Sequence, residues 1–168
     1  AVRPGLVFAP LSSRLGSMLL ERSSLRSPTV RAVASPVTWI VGVMVVTYAA
    51  QMLFEHWFES DWLTRTFALT SGGAKAGFVW TFVTYSFLHS TATLLHLVGC
   101  AVGVFLVGRQ LLPHLGSRRF AGLYAGAVML GGVVWLATNV LRGGLLCGAA
   151  PGCAGLLTMF ACLFPNQQ

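Results

Sequence analysis

The stretch PVTWIVGVMVVTYAAQMLF, residues 36–54, contains 19 residues and no formal charge. At a rise of about 1.5 Å per residue, a helix of this length spans the hydrocarbon core of a bilayer, which is about 30 Å thick. Pro36 suits the first turn of a helix, and Trp39 suits the membrane interface. The stretch therefore predicts a transmembrane helix.

Further apolar segments follow toward the C-terminus. Residues 78–108 form an apolar run that is too long for one simple crossing, and we divide it at His89-Ser90-Thr91, which interrupts it. We expect transmembrane helices over about 36–54, 93–108, 120–141 and 146–164, and an interfacial loop over 55–92. The sequence thus predicts an all-α integral membrane protein, a helical bundle with about four transmembrane helices.

The composition agrees with a chain embedded in lipid. Hydrophobic residues make up 55% of the sequence and charged residues only 9%, and the mean hydropathy is +0.75, whereas a soluble domain carries about 25% charged residues. The net charge of +7 does not indicate nucleic-acid binding, because the basic residues are scattered between apolar runs instead of lining one face. The predicted partner is the lipid bilayer, with the basic residues as anchors at a negatively charged leaflet.

The basic residues also predict an orientation. Five arginines precede the first span and three lie in the predicted loop 109–119, whereas the other connections carry fewer basic residues or are offset by acids. The positive-inside rule places the N-terminus, this loop and the C-terminus in the cytoplasm. Segment 1–35 is predicted as a basic, disordered cytoplasmic tail, although its acid-poor composition is also typical of an organellar transit peptide. A bacterial inner membrane and an organellar membrane both fit.

Two histidines lie in the apolar part of the chain. His89 and His96 are seven residues apart, so on a continuous helix they would be separated by about 10.5 Å along the axis. One metal ion could not bridge that distance, and the four cysteines lack the spacing of a metal motif. We therefore predict no metal and no cofactor. The histidines would instead bond to neighbouring helices or form a functional polar site.

Two segments, in this order, carry a family resemblance. The first is WTFVTYSFLHSTATLLHLVGC at residues 80–100, in which an aromatic-rich run leads into Phe-Leu-His and a later His-Leu. The second is GAAPGCAGLL at residues 148–157, which is followed by Leu-Phe-Pro-Asn at 163–166. Over about residues 36–168, the chain resembles the rhomboid intramembrane serine proteases (peptidase family S54). The interval from His89 to His96 is two residues longer than the commonest step in that family.

The resemblance implies a six-helix fold, of which this sequence matches the part through helix four. In that fold a serine at the start of helix four is activated by a histidine on helix six, and nearby donors hold the oxyanion. The matched positions are the motif glycines Gly148 and Gly155 and the oxyanion-side histidine His96, with His89 as a less secure match. Ala150 stands at the nucleophile position, and Cys100 stands where an oxyanion-side asparagine is expected.

Three interpretations follow. The first is a catalytically inactive rhomboid-like protein, a pseudoprotease that binds transmembrane segments of client proteins. The second is a fragment, or a Ser-to-Ala variant, of an active intramembrane serine protease. The third is an unrelated four-helix membrane protein. The chain as written is not expected to hydrolyse peptides, because it lacks the nucleophile serine and has no histidine after His114. No client and no oligomeric state is predicted.

Overall fold

The computed structural model describes residues 35–165, so residues 1–34 of the predicted tail and residues 166–168 lie outside the described range. The described part is mainly helical. Its elements, in chain order, are α1 (Pro36–Trp57), α2 (Trp62–Phe67), β1 (Leu69–Thr70), α3 (Ser71–Lys75), α4 (Thr81–Thr84), α5 (Leu94–Asn139), β2 (Leu145–Leu146) and α6 (Ala150–Leu163).

Helices α1 and α5 are long and apolar enough to cross a membrane. Ser35 caps α1, because its hydroxyl accepts a hydrogen bond from the Thr38 amide at 3.2 Å, and Pro36 follows in the first turn. The most apolar windows of α1 and α5 have a mean hydropathy of 1.8 but are only 17% and 22% buried. Their exposed surface is thus largely hydrocarbon, which suits lipid rather than water.

Helix α5 corrects one sequence prediction. The predicted loop over 109–119 is wrong in its extent, since helical structure extends from both sides up to Gly116, which alone has non-helical angles, with φ 73° and ψ 163°. Leu111 within this stretch is fully buried, so the apolar face continues past Arg109 while the long arginine side chains can extend outward. Gly116 divides α5 into a first arm, 94–115, and a second arm, 117–139.

The two arms run antiparallel, because Gly116 reverses the chain. A Cβ placed on Gly108 would lie 3.1 Å from the Phe120 ring across the kink and 2.9 Å from Val37 of α1. We call this region, formed by Val37, Gly108, Gly116 and Phe120, the kink end of the bundle. Close helix approach here depends on the missing side chain of Gly108.

Helix α6 packs against both arms. Tyr124 of the second arm is in such tight contact with Gly152 that any Cβ there would overlap its ring, while a Cβ on Gly103 of the first arm would lie 3.7 Å from Cys153 Sγ. The α6 helix begins at Ala150 and not at 146 as predicted, because Leu145 and Leu146 are extended and pair with β1.

The predicted interfacial loop 55–92 contains more regular structure than expected. The start of this segment extends α1 to Trp57, and α2, β1, α3 and α4 follow within it. Strand β1 pairs antiparallel with β2, with Leu69 opposite Leu146 and Thr70 opposite Leu145. This pairing joins the segment to the start of α6, at the end of the bundle opposite the kink.

Candidate functional site at the histidine end of the bundle

His89 is fixed by a glutamine of α1. The Gln51 side chain accepts a hydrogen bond from the His89 amide at 3.0 Å and donates one to the His89 carbonyl at 3.1 Å. Both residues are almost fully buried, with 1% of His89 and 2% of Gln51 exposed. Sequence reasoning missed Gln51, although an amide side chain in the otherwise apolar run 36–54 was a signal that it had a polar partner.

The structure brings His89 and His96 together, with ring centroids 5.5 Å apart. The predicted separation of about 10.5 Å is wrong, because it assumed one continuous helix. In fact α5 begins at Leu94, and residues 90–93 form a turn that folds His89 back toward the first turn of the helix. Cys100 completes a cluster, in which the ligand atoms of His89, His96 and Cys100 all lie within 4.8 Å of one another.

The two nitrogens of His89 have different surroundings. Its Nδ1 lies 3.3 Å from the carbonyl oxygen of Phe87. Its Nε2 is buried and has no hydrogen-bond partner in the described part of the chain. A backbone carbonyl can only accept, so the Phe87 contact places the proton on Nδ1 and leaves a free lone pair on Nε2.

His96 lies against the turn that leads into α6. Gly148 has φ +112°, and a Cβ there would come within 2.5 Å of His96 Nε2. Glycine is therefore required at 148 both for backbone conformation and for space. The sequence-predicted positions His96, Gly148 and Ala150 thus lie near one another, since Ala150 is the first residue of α6.

Gly155 has a different role from Gly148. A Cβ at position 155 would overlap the Cβ of Ala127 in the second arm of α5. It is therefore a helix-packing residue, one and a half turns into α6, and it allows α6 and the second arm to approach closely. Of the two motif glycines, only Gly148 contacts a candidate site residue.

Tyr85 holds the turn before α6 in place. Its carbonyl accepts a hydrogen bond from the Gly148 amide at 3.0 Å, and its hydroxyl donates to the Val128 carbonyl at 2.6 Å. Burial raises the pKa of Tyr85 to about 12, so the phenol stays protonated and available as a donor at neutral pH. Tyr85 thus connects the segment between α1 and α5 to both the second arm and the turn at Gly148.

A carboxylate network closes the same end. The Glu55 carboxylate accepts hydrogen bonds from Thr91 at 2.6 Å and from Thr64 at 3.1 Å, and Thr64 in turn accepts one from Gln51 at 3.2 Å. Burial, and the nearby negative charge of Glu55, raise the pKa of Cys147 above its ordinary value. We call the region formed by Gln51, Glu55, His89, His96 and Gly148 the histidine end.

Thr158 and Cys153 of α6 carry a hydroxyl and a thiol, groups that can act as nucleophiles. The Thr158 hydroxyl donates to the Ala154 carbonyl of its own helix at 2.9 Å. The Cys153 thiol lies 3.6 Å from the Cys100 carbonyl, on the side of α6 that faces the first arm of α5. Ala150, which the family resemblance matches to the nucleophile position, offers only a methyl group.

An open groove of about 770 Å³ runs between the second arm of α5 and α6. Its lining is apolar and rich in small residues, with Thr158 as a polar member. The small lining residues are Gly122, Gly126, Ala127, Gly131, Ala154 and Gly155. The groove lies on the face of α6 that does not contact the first arm.

The comparison with known proteins identifies a family for the part of the chain that contains this site. The family model of the Rhomboid domain matches residues 76–168. No curated protein matches the chain significantly, and no solved structure does so either. The match covers more than half of the sequence and includes both of the segments that carried the resemblance, so the interpretation as an unrelated four-helix protein is wrong. The chain belongs to the rhomboid family of membrane proteins.

Proposed function

We propose that this chain binds single transmembrane segments of client proteins without hydrolysing them. The observation that carries the proposal is Ala150 at the first position of α6, beside the turn in which Gly148 touches His96. A serine protease of this family needs a hydroxyl at that position to attack the scissile carbonyl. A methyl group has no lone pair, so the covalent route is closed.

The oxyanion side of the site supports the same conclusion. Cys100 replaces the expected asparagine, and a thiol is a weak hydrogen-bond donor compared with an amide. Removal of one oxyanion donor costs enzymes about 10² to 10³ in rate. The chain therefore departs from the protease pattern at two separate catalytic positions.

The groove between the second arm of α5 and α6 is the proposed client site. Helices associate in lipid by close packing, and small residues let two backbones approach. Cβ atoms on Gly122 and Gly126 would meet nothing within 4 Å, so this face is open to a visiting helix. Thr158 offers one polar contact within the groove, which suits a client segment that carries a polar side chain.

The proposal includes a membrane arrangement. α1, the two arms of α5 and α6 would make four crossings, with the kink end and the N-terminus in the cytoplasm and the histidine end on the opposite side. Contacts at the kink end support this, since Val37 approaches Gly108 there and the rings of His114 and Phe164 lie 5.1 Å apart. The membrane would be a bacterial inner membrane or an organellar one.

The alternative is that the chain represents a fragment or a Ser-to-Ala variant of an active intramembrane serine protease. The contact of His96 with Gly148 favours it, because that contact keeps an imidazole at the mouth of the expected oxyanion site. Cys100 argues against it, as a second change at a catalytic position.

Client binding is tested in proteoliposomes with a panel of single-span peptides that carry a photocrosslinker. Residues of α6 and the second arm line the groove, and Cys162 of α6 is exposed there. Crosslinked peptides should therefore map to these two helices. Gly126→Leu should fill the groove and reduce crosslinking at least several-fold. Gly42→Leu is the matched control, since Gly42 also has open space around it but lies on α1. Equal crosslinking in both variants would overturn the groove as client site.

Hydrolysis is measured on the same peptides by mass spectrometry. We expect no cleavage by the chain with Ala150, and any specific cleavage would overturn the proposal. Ala150→Ser tests the alternative. Cleavage by this variant would favour a silenced protease, whereas continued inactivity with intact peptide binding would support a binding protein.

A further inference from the structure

We propose that His89, His96 and Cys100 form a binding site for Zn²⁺ at the histidine end. Their ligand atoms lie within 4.8 Å of one another. The set combines two imidazoles and one thiol, which are the donor types that Zn²⁺ takes in proteins. It contains no carboxylate, which argues against Mg²⁺ or Ca²⁺.

The geometry needs only a small contraction to fit the ion. Three atoms no more than 4.8 Å apart all lie within about 2.8 Å of a common point, whereas Zn²⁺ binds nitrogen at about 2.0–2.1 Å and sulfur at about 2.3 Å. Each ligand atom must therefore move by less than about 1 Å. His96 and Cys100 are four residues apart on α5, so the helix already presents them on one face.

His89 is prepared for such a contact. Its buried Nε2 has no partner within the described residues, and burial of a polar atom without a partner is unfavourable. Its Nδ1 approaches the Phe87 carbonyl, which is the arrangement that fixes the tautomer of metal-binding histidines. Gln51 bonds to the His89 amide and carbonyl and so holds the backbone of this ligand. A bound cation would supply the partner that the His89 Nε2 lacks.

The exposure of the three ligands indicates how the ion would enter, and their number indicates its coordination. His96 is exposed whereas His89 and Cys100 are buried, so the ion would enter from the side of His96. Three protein ligands leave the fourth tetrahedral position for water. The Cys153 thiol lies 3.6 Å from the Cys100 carbonyl.

The test uses the full chain, purified in detergent, stripped with a chelator and loaded with Zn²⁺ or Co²⁺. We expect one Zn²⁺ per chain by mass spectrometry of bound metal after desalting. With Co²⁺ we expect the visible bands of a tetrahedral ion and a thiolate-to-cobalt charge-transfer band in the near ultraviolet. Absence of stoichiometric binding and of that band in the unmodified chain would overturn the proposal, and this measurement requires no variant to fold.

Variants then assign the ligands. Cys100→Ala should abolish the charge-transfer band. His96→Ala should weaken Zn²⁺ binding by more than about 100-fold, because loss of outer-sphere partners alone costs about 10–100-fold. Cys162→Ala and His114→Ala are matched controls, since both residues are exposed and lie away from the cluster, and they should leave binding unchanged. A charge-transfer band that survives Cys100→Ala but is lost in Cys162→Ala would place the metal elsewhere and overturn the assignment.

Discussion

The two ends of the bundle are held together by different forces. At the kink end, Val37, Gly108 and Phe120 meet through apolar contact alone. At the histidine end, Gln51 and Glu55 bond to groups that lie more than 30 residues away in the chain. Apolar contact tolerates small shifts, whereas a buried hydrogen bond requires its partner at a defined distance and angle. The hydrogen bonds at the histidine end therefore hold the backbone of His89, a residue of the candidate site, in a defined position.

The sharpest test of this comparison is Gln51→Leu. The change leaves the buried His89 amide and carbonyl without partners. At a cost of about 1–3 kcal/mol for each of the two groups, we expect the free energy of unfolding to fall by about 2–6 kcal/mol. Unfolding in mixed detergent micelles, followed by circular dichroism, measures the change. Gln110→Leu is the control, because Gln110 is exposed and its side-chain amide bonds to the Leu106 carbonyl of its own helix. Comparable losses in the two variants would contradict the role of Gln51.

The next effect is expected for Gly148→Ala at the same end. The backbone has φ +112°, and strained positive-φ positions cost non-glycine residues about 1–3 kcal/mol. The new methyl group would also displace His96, because Nε2 lies only 2.5 Å from its position. We expect lower stability together with weaker Zn²⁺ binding. Gly99→Ala is the control, since it has open space, and should be neutral or slightly stabilising.

A smaller loss is expected for Tyr85→Phe. The change removes one buried hydrogen bond to the Val128 carbonyl, and such a bond contributes about 0.5–1.5 kcal/mol. Tyr48→Phe serves as control, because the Tyr48 hydroxyl makes no hydrogen bond within residues 35–165. The free energies of unfolding of the two variants, taken from detergent-induced unfolding curves, should differ by that amount. Coincident curves would show that the Tyr85 hydroxyl adds nothing to the packing of the second arm.

The smallest effect concerns the reactivity of Cys147. Its pKa is raised by burial and by Glu55, and the thiolate is the reactive form, so its labelling by a maleimide should still be rising with pH above neutrality. Glu55→Gln removes the negative charge and should lower this pKa, which increases the labelling rate at pH 8 by about two- to fivefold. Glu59→Gln is the control at an exposed site. A slower labelling rate in Glu55→Gln would contradict the assignment that Glu55 raises the pKa of Cys147.

Much of the bundle could be predicted from residue pattern. The apolar run at 36–54 became most of α1, and the predicted helix over 146–164 became α6, which lacks residues 146–149 and Phe164. The prediction failed at 109–119 because arginines, Pro113 and Gly116 are typical of loops. There the buried face of Leu111 kept the backbone helical, since tertiary packing outweighs local propensity.

The site was only partly predictable. Family resemblance pointed to His96, Gly148 and Ala150, whose neighbourhood depends on the order of the helices. It could not indicate that His89 lies near Cys100. These two residues belong to one cluster because residues 90–93 turn before α5 begins. Spacing along a chain predicts distance only inside a regular element.

The sequence by itself determined a chain rich in apolar helices, the family signatures, and the absence of a hydroxyl at position 150, because these depend on composition and residue identity alone. The tertiary structure decided which polar groups meet. The Gln51 bonds to His89, the fit of Gly148 against His96 and the His89–His96–Cys100 cluster join segments that are separate in sequence. Their distances follow from packing of whole helices, and no local pattern of residues specifies them.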